Sequence, residues 1–262
     1  MALSVFSSAE SYYSGPEEMK NEVGVWFVAA GILFQEVSRK SGNSPFGGLG
    51  IKVGYEEHDR FPEIEILDLC SGPGNFVNHL SLVYPKLKAI CVDSNEVFVR
   101  DGSKQFPKWQ FILGDASTIQ LHRKFQYISV SSGYHHITDR EKPLLMRNIA
   151  ANLADNGMVL VCENLLPFYK DEAERADAVN LFYDEFQKCK ATKDITEHAS
   201  SLLEEVRHSD LRKDDERKVS FEIFRGHVKA AKLKIDMDVA VWQPEALKKD
   251  NAGTHLFVLR KV

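Results

Sequence analysis

At 262 residues, with 44% hydrophobic and 27% charged side chains, the chain can bury a sizeable core and suits one α/β domain with an elaboration. Its 33 basic against 38 acidic residues give a net charge of −5 without a long basic tract, which disfavours nucleic acid as a partner. No apolar run is long enough to span a membrane, no secretory pattern opens the chain, and the four cysteines (70, 91, 162 and 189) lack CxxC or zinc-type spacing; these features predict a reduced, cytoplasmic protein with no membrane partner and no metal.

The segment from Ser8 to Lys40 reads as helical, with Pro16-Glu17-Glu18 suited to a first turn and an apolar run from Val23 to Val37. Five glycines and a proline between Ser41 and Gly54 read as a connector. Residues 1–54 are therefore set apart from a main domain over 55–262.

Ile64 to Leu69 is a buried strand that runs into Cys70-Ser71-Gly72-Pro73-Gly74 and then a helix from Phe76 to Tyr84. Glycines there let a ligand lie against bare backbone, and the helix start offers unpaired N–H groups to an anionic group. Val77 stands where a dinucleotide fingerprint needs a third small residue, and no Gly-Lys-Ser/Thr follows, which excludes a Walker phosphate loop. A second apolar run, Leu87–Val92, ends at Asp93, 25 residues beyond Asp68. A carboxylate at that strand end can hold a ribose diol, or it can cap the helix from Asn95 to Lys104. A third run, Trp109–Leu113, ends in Gly114-Asp115-Ala116; a fourth, Phe125–Val130, ends in Ser131-Ser132-Gly133-Tyr134-His135-His136. In an open parallel sheet these four endings line one rim, where ligands bind. Cys70, Cys91 and Cys162 read as small strand residues near the interior.

These motifs in this order, continued by Ala154-Asp155-Asn156-Gly157 and a fifth strand, resemble the class I S-adenosylmethionine-dependent methyltransferases over roughly residues 60–165. The resemblance implies a seven-stranded Rossmann-like doubly wound sheet of order 3-2-1-4-5-7-6 with its last strand antiparallel. Around it stand N-terminal helices and a helical insertion at about 165–218, with candidate helices Asp171–Lys190 and Thr196–Leu211, followed by a helix Phe221–Leu233 and by the runs Lys234–Trp242 and, after a turn, His255–Leu259, as a final hairpin. The cofactor it implies is S-adenosyl-L-methionine. Ser71, Gly72 and Gly74 would follow its methionine part, with Asp68 orienting the turn or the amino group. Asp93 would hold the ribose, Ser94 the neighbourhood of the adenine, Asp115 and Ala116 the adenine edge, and Ser131 the methionine end. Residues 1–54 would form a lid carrying Tyr12 and Tyr13, or a dimer contact, in a monomer or homodimer.

An acceptor that loses a proton on methylation needs a base. His135 and His136 follow the fourth strand and would face different ways, so one is expected in the pocket; either could instead serve the turn's backbone. Glu163, ending the fifth strand, is the alternative base or a cation-binding group. Tyr134 and Tyr169 are candidate substrate contacts, whereas Phe182 and Phe186 have helical spacing suited to a core. The expected activity is methylation of an O, N or C atom of a small molecule in secondary or intermediary metabolism. Alternatives are a tRNA- or protein-modifying methyltransferase, a catalytically idle cofactor-binding partner subunit, and a nicotinamide-dependent oxidoreductase, the last disfavoured by Val77 and Gly114-Asp115-Ala116.

Overall fold

The structure is a computed structural model that describes residues 26, 28–33, 35–37, 40, 63–190 and 197–262, with side chains described for all of these except 189, 190 and 197–200. Tyr12, Tyr13, the connector 41–54 and the 54/55 boundary lie outside the described residues, as does the Cys189 side chain.

Strand β1 (Glu65–Leu69) is buried from Ile66 onward, as expected of a strand covered on both faces. Successive side chains part company: Ile66 joins one hydrophobic cluster, while Leu67 and Leu69 join the other. It pairs in parallel with β2 (Lys88–Asp93) on one side and β4 (Phe125–Ser131) on the other. β3 (Gln110–Leu113) extends the sheet beyond β2, and β5 (Leu153–Leu165) lies beside β4. β7 (Gly253–Lys261) runs antiparallel between β5 and β6 (Leu233–Trp242). The seven-stranded order is β3-β2-β1-β4-β5-β7-β6, as the sequence predicts.

Helices cover both faces. Trp26, Leu33 and the helix α1 (Asn75–Val83), through Phe76, Val77 and Leu80, fill one side. On the other, α3 (Lys142–Asn152) and α6 (Phe221–Ala230) contribute Leu145, Ile149, Phe224 and Val228. Between them in the chain lie α2 (Glu96–Gln105) and the insertion helices α4 (Glu172–Lys190) and α5 (Glu197–Arg212). A short α7 (Glu245–Lys248), which the sequence reading took as a turn, joins β6 to β7. Helix α6 stops at Ala230 rather than at the predicted Leu233 because Lys232 is left-handed, with φ +58°. Strand β5 starts at Leu153 rather than Met158; its pairing jumps from Phe125–Leu153 to Tyr127–Met158, leaving 154–157 as an irregularity at the strand's entry. Among the described residues no helix is long and apolar enough to cross a membrane.

The insertion packs its own cluster (Val179, Phe182, Tyr183 and Leu203) against Leu247 and Ala252 of the β6–β7 connection. Phe182 meets Trp242 edge-on, with ring centroids 5.5 Å apart. Beneath this cluster, buried Arg175 from α4 bonds Asp210 from α5 through Nη2–Oδ1 at 2.6 Å and donates from Nη1 to the Asp210 carbonyl at 2.8 Å. Removing one partner of such a pair strands a buried charge, at a cost of about 3–5 kcal/mol. Arg175→Met is therefore expected to lower the unfolding free energy by about 3 kcal/mol or more in urea titration.

Candidate active site

The chain leaves β1 through a left-handed turn: φ is +56° at Cys70, +53° at Gly72 and +91° at Gly74. Cys70 thus lies in the turn and on the cavity wall, not inside the strand where the sequence reading put it. The Asp93 carboxylate at the end of β2 fastens this turn, its Oδ2 accepting from the Gly72 N–H and its Oδ1 from the Asn95 N–H, both at 2.8 Å. Helix α2 is capped by Asn95, whose Oδ1 accepts from Val97 N at 2.9 Å, so Asp93 is not the cap. After β4 a second non-glycine residue, Ser132, is left-handed at φ +50°. Gly133 follows, and a Cβ on it would collide with the Cys70 side chain and lie 3.3 Å from the Cys70 carbonyl oxygen. The turns after β1 and β4 therefore touch, and their strained residues are held by contact.

Between these turns and the start of α2 is a cavity of about 440 Å³. Asp68, Ser71, Gly72, Asp93, Ser94, Asp115, Ala116 and Ser131 all line it. Gly74 stands behind the wall, where the Phe111 ring passes 2.8 Å from the position of a Cβ. Trp26, Asn75 and Phe98 line it too and were not singled out from the sequence. Trp26 donates from Nε1 to Ser131 Oγ at 2.8 Å, a pairing across 105 residues that no local pattern announces. Asn75 could have been found, since it directly follows the glycine turn.

Polar groups in the wall are unevenly satisfied. Asp68 Oδ1 accepts from Ser129 Oγ at 2.6 Å, but among the described residues its buried Oδ2 has no partner, nor has the buried Nδ2 of Asn75. Burial pushes the Asp68 carboxyl up to about 7, opposed by the Ser129 bond and reinforced by Asp93. Burial also raises Asp93, against the backbone N–H groups that it accepts. Asp115 Oδ1 accepts from Ser117 N at 2.7 Å. Among the described residues the lining includes five carboxylates (Asp68, Asp93, Asp115, Glu141 and Asp215) and no lysine or arginine.

A single 3₁₀ turn, Tyr134–His136, carries all three side chains, and the rings of His135 and His136 lie against each other with centroids 4.1 Å apart rather than facing different ways. His136 is on the cavity wall. His135 is buried, its Nδ1 2.5 Å from Glu163 Oε1 and its Nε2 3.6 Å from Glu216 Oε2. Glu163, itself buried, also accepts from Asn164 N at 2.7 Å and is not among the lining residues. Burial would lower the His135 pKa, but Glu163 and Glu216 outweigh it and the net shift is upward. Glu163 is moved down, its burial outweighed by His135. Desolvation among packed neighbours, then the charge of His135, lowers the His136 pKa. Tyr134 is in the core rather than at the cavity: its hydroxyl lies 2.7 Å from His227 Nδ1 and its ring meets Phe224 edge-on at 5.4 Å. Tyr169 packs against the insertion's cluster and is likewise not a lining residue.

Residues 66–157 match the family model described as a methyltransferase domain. A curated relative, the demethylmenaquinone methyltransferase of Chlamydia caviae, is 30% identical over 105 residues, 39% of this chain and 45% of that protein; the chain thus spans less than half of its length. Among solved structures, the plantazolicin methyltransferase BpumL in complex with S-adenosylhomocysteine superposes with a TM-score of 0.61 at 12% identity, covering 100% of this chain and 94% of that one. The mitomycin 7-O-methyltransferase MmcR gives 0.51 at 14% identity, over 76% of this chain and 49% of that one. At these identities the structural likenesses show the fold.

The contact between the two turns can be tested directly. Gly133→Ala is expected to destabilise the protein by about 1–3 kcal/mol in chemical denaturation. Gly31→Ala, at a helical site where no described residue lies within 4 Å of the added carbon, is expected to be neutral or to stabilise by up to about 1 kcal/mol.

Proposed function

We propose that this chain, a class I S-adenosylmethionine-dependent methyltransferase through residues 66–157, moves a methyl group to an oxygen, nitrogen or carbon of a small-molecule acceptor by in-line displacement. The observation that carries this reading is a pair of buried atoms in the cavity wall, Asp68 Oδ2 and Asn75 Nδ2, that find no partner among the described residues. One is an acceptor suited to an ammonium and the other a donor suited to a carboxylate, which together match the zwitterionic methionine end of the cofactor. Asp93, already holding the glycine turn, keeps lone pairs for a ribose diol, and Phe98 offers an apolar face on the same wall. When bound, S-adenosylmethionine supplies an electrophilic methyl group on a sulfonium.

His136 is the base of this reading. Its Nδ1 lies 3.0 Å from the Asp215 carbonyl oxygen, which can only accept, so Nδ1 carries the proton and Nε2 the lone pair. Its lowered pKa keeps the ring neutral and ready to take a proton from the acceptor. Glu163 and His135, both behind the wall, support the turn that presents it. Among the described residues the charged side chains of the lining are all carboxylates, which favours a neutral or cationic acceptor and opposes a phosphate-bearing one, such as RNA. The cavity's volume of about 440 Å³ supports a small molecule over a protein side chain.

His136→Ala is expected to lower methyl transfer by about 10²–10⁴-fold, with the Kd for S-adenosylhomocysteine within about twofold of the parent. Equal loss of both would remove His136 as the base. The acceptor is sought with methyl-labelled cofactor and a fractionated cell extract, where label in RNA or protein would overturn the small-molecule reading. Asp68 gives a second test through pH. Its raised pKa means that it ionises only as pH rises through about 7, and the ionised form is the one that attracts an ammonium. The Kd for S-adenosylhomocysteine in calorimetry is thus expected to weaken up to about tenfold for each pH unit below 7. Asp68→Asn is expected to flatten that slope.

A further inference from the structure

Behind His136 the molecule carries a row of buried charges that the cofactor reading leaves unused. It alternates in sign: Glu163, His135, Glu216, Lys218, Asp210, Arg175. Glu163 belongs to β5 and His135 to the turn after β4; the remaining four belong to the insertion and to the loop that closes it. Lys218 Nζ pairs with Glu216, lies 3.7 Å from Asp210 Oδ2 and donates to the Tyr183 hydroxyl at 2.9 Å. With His135 as imidazolium the row holds three cations and three anions and is neutral.

Glu216 is the member that touches both histidines. Its Oε2 is 3.6 Å from His135 Nε2 and its Oε1 is 3.9 Å from His136 Nδ1, and its side chain is buried. The loop that delivers it is pinned at several points. Ser209 Oγ accepts from the N–H groups of Asp215 at 3.1 Å and Glu216 at 3.2 Å, while the Arg217 N–H donates to the His135 carbonyl and Arg217 Nη1 to the His136 carbonyl, both at 3.0 Å. The preceding carbonyl, that of Asp215, fixes which nitrogen of His136 bears the proton.

We propose that Glu216 is a positioning residue for His136, supplied by the helical insertion. It holds the two rings in the arrangement that presents His136 Nε2 to the acceptor, and it stabilises the imidazolium formed when His136 takes the acceptor's proton. The base would then be complete only when the insertion is docked. This inference rests on the methyltransferase reading for its purpose, but its geometry does not depend on turnover. His135, His136 and Glu216 also bring one ligand-type atom each within 4.8 Å of one another. Lys218 already occupies Glu216 there, and the row balances its charge with a proton on His135, so we assign the cluster to proton chemistry.

Other charges around His136 set the background of the test. Glu141 and the Asp215 carboxylate share the cavity wall, the Arg217 guanidinium bonds the His136 carbonyl, and Lys218 and His135 oppose protonation. The test uses the full chain with S-adenosylhomocysteine bound and with histidine labelled in its ring with ¹³C and ¹⁵N. In Glu216→Gln the His136 pKa is expected to fall by about one unit, a tenfold change in its protonation constant, with the fraction of Nδ1–H tautomer reduced. Affinity for S-adenosylhomocysteine is expected to stay within about twofold. Glu216→Asp, which keeps the charge, is expected to restore most of the shift and is the variant to read if the glutamine form fails to fold. An unchanged His136 pKa and tautomer in the glutamine variant, or an aspartate variant that folds yet shifts as far as glutamine, would overturn the proposal. A shift in Glu216→Gln alongside normal turnover of His136→Ala would keep Glu216 as the positioning residue while removing His136 as the base. Loss of turnover in His136→Ala with no shift in Glu216→Gln would do the reverse.

Discussion

Parallel pairing of β1 with β2 and with β4 is the constraint from which the site follows. It brings the carboxyl ends of three strands to one rim, so Asp68, Asp93 and Ser131 meet although they are far apart in sequence. Parallel strands need long crossovers, so the chain must turn away sharply at each of these ends. Two of the three turns do so through left-handed non-glycine residues, Cys70 and Ser132. That conformation costs of order 1–3 kcal/mol per residue. What holds it is contact: Gly133 lies against Cys70, and the Gly72 N–H is bound to Asp93. Strain in the backbone and the tethering of its N–H groups, with Ser71 N bound to the Val92 carbonyl and Gly74 N to the Ser71 carbonyl, are thus two results of one packing arrangement.

Burial then assigns different work to chemically similar groups. Asp68 and Glu163 are both enclosed carboxylates, yet their acidities move in opposite directions. Asp68 has a single hydroxyl partner and an unmatched oxygen, so desolvation governs it. Glu163 faces an imidazole and two backbone N–H groups, so its charged form is favoured. The adjacent histidines divide in the same way: His135 lies between carboxylates and moves up, while His136, beside that charge, moves down. A proton held on His135 helps to keep His136 free of one.

The fold was legible because its signals are local and repeated. Apolar runs ending in Asp68, Asp93, Asp115 and Ser131 repeat one rule four times, and the strand order followed from their resemblance to a known sheet. Element ends were less legible where backbone geometry decided them, as at Lys232, whose left-handed turn stops α6 early. In the site, residues at strand ends could be read because a strand end has a fixed place in a parallel sheet. Tyr134 could not, because its place depends on His227 and Phe224, some ninety residues away. Trp26 and Glu216 were hidden for the same reason, since each reaches the site from a separate segment of chain. Asn75 was legible, since it directly follows the glycine turn and carries an amide to the cavity wall.

The distribution of these residues separates two tasks. Groups that suit the cofactor come from the ends of β1, β2, β3 and β4, and their bonds are made largely among themselves. Asp215, Glu216 and Arg217 come instead from the loop after α5 and bond to the turn that carries His135 and His136. The contact between these halves is ionic and buried, and such contacts contribute less to stability than to the choice of one arrangement. A hydrophobic seam could slide by a few tenths of an ångström without penalty, but an alternating row of charges cannot shift one place without setting like charges together. The loop held by that row ties the imidazole of His136 through the Asp215 carbonyl, 3.0 Å from Nδ1. Such a row would also let the insertion vary elsewhere on its surface while the cofactor half stays the same.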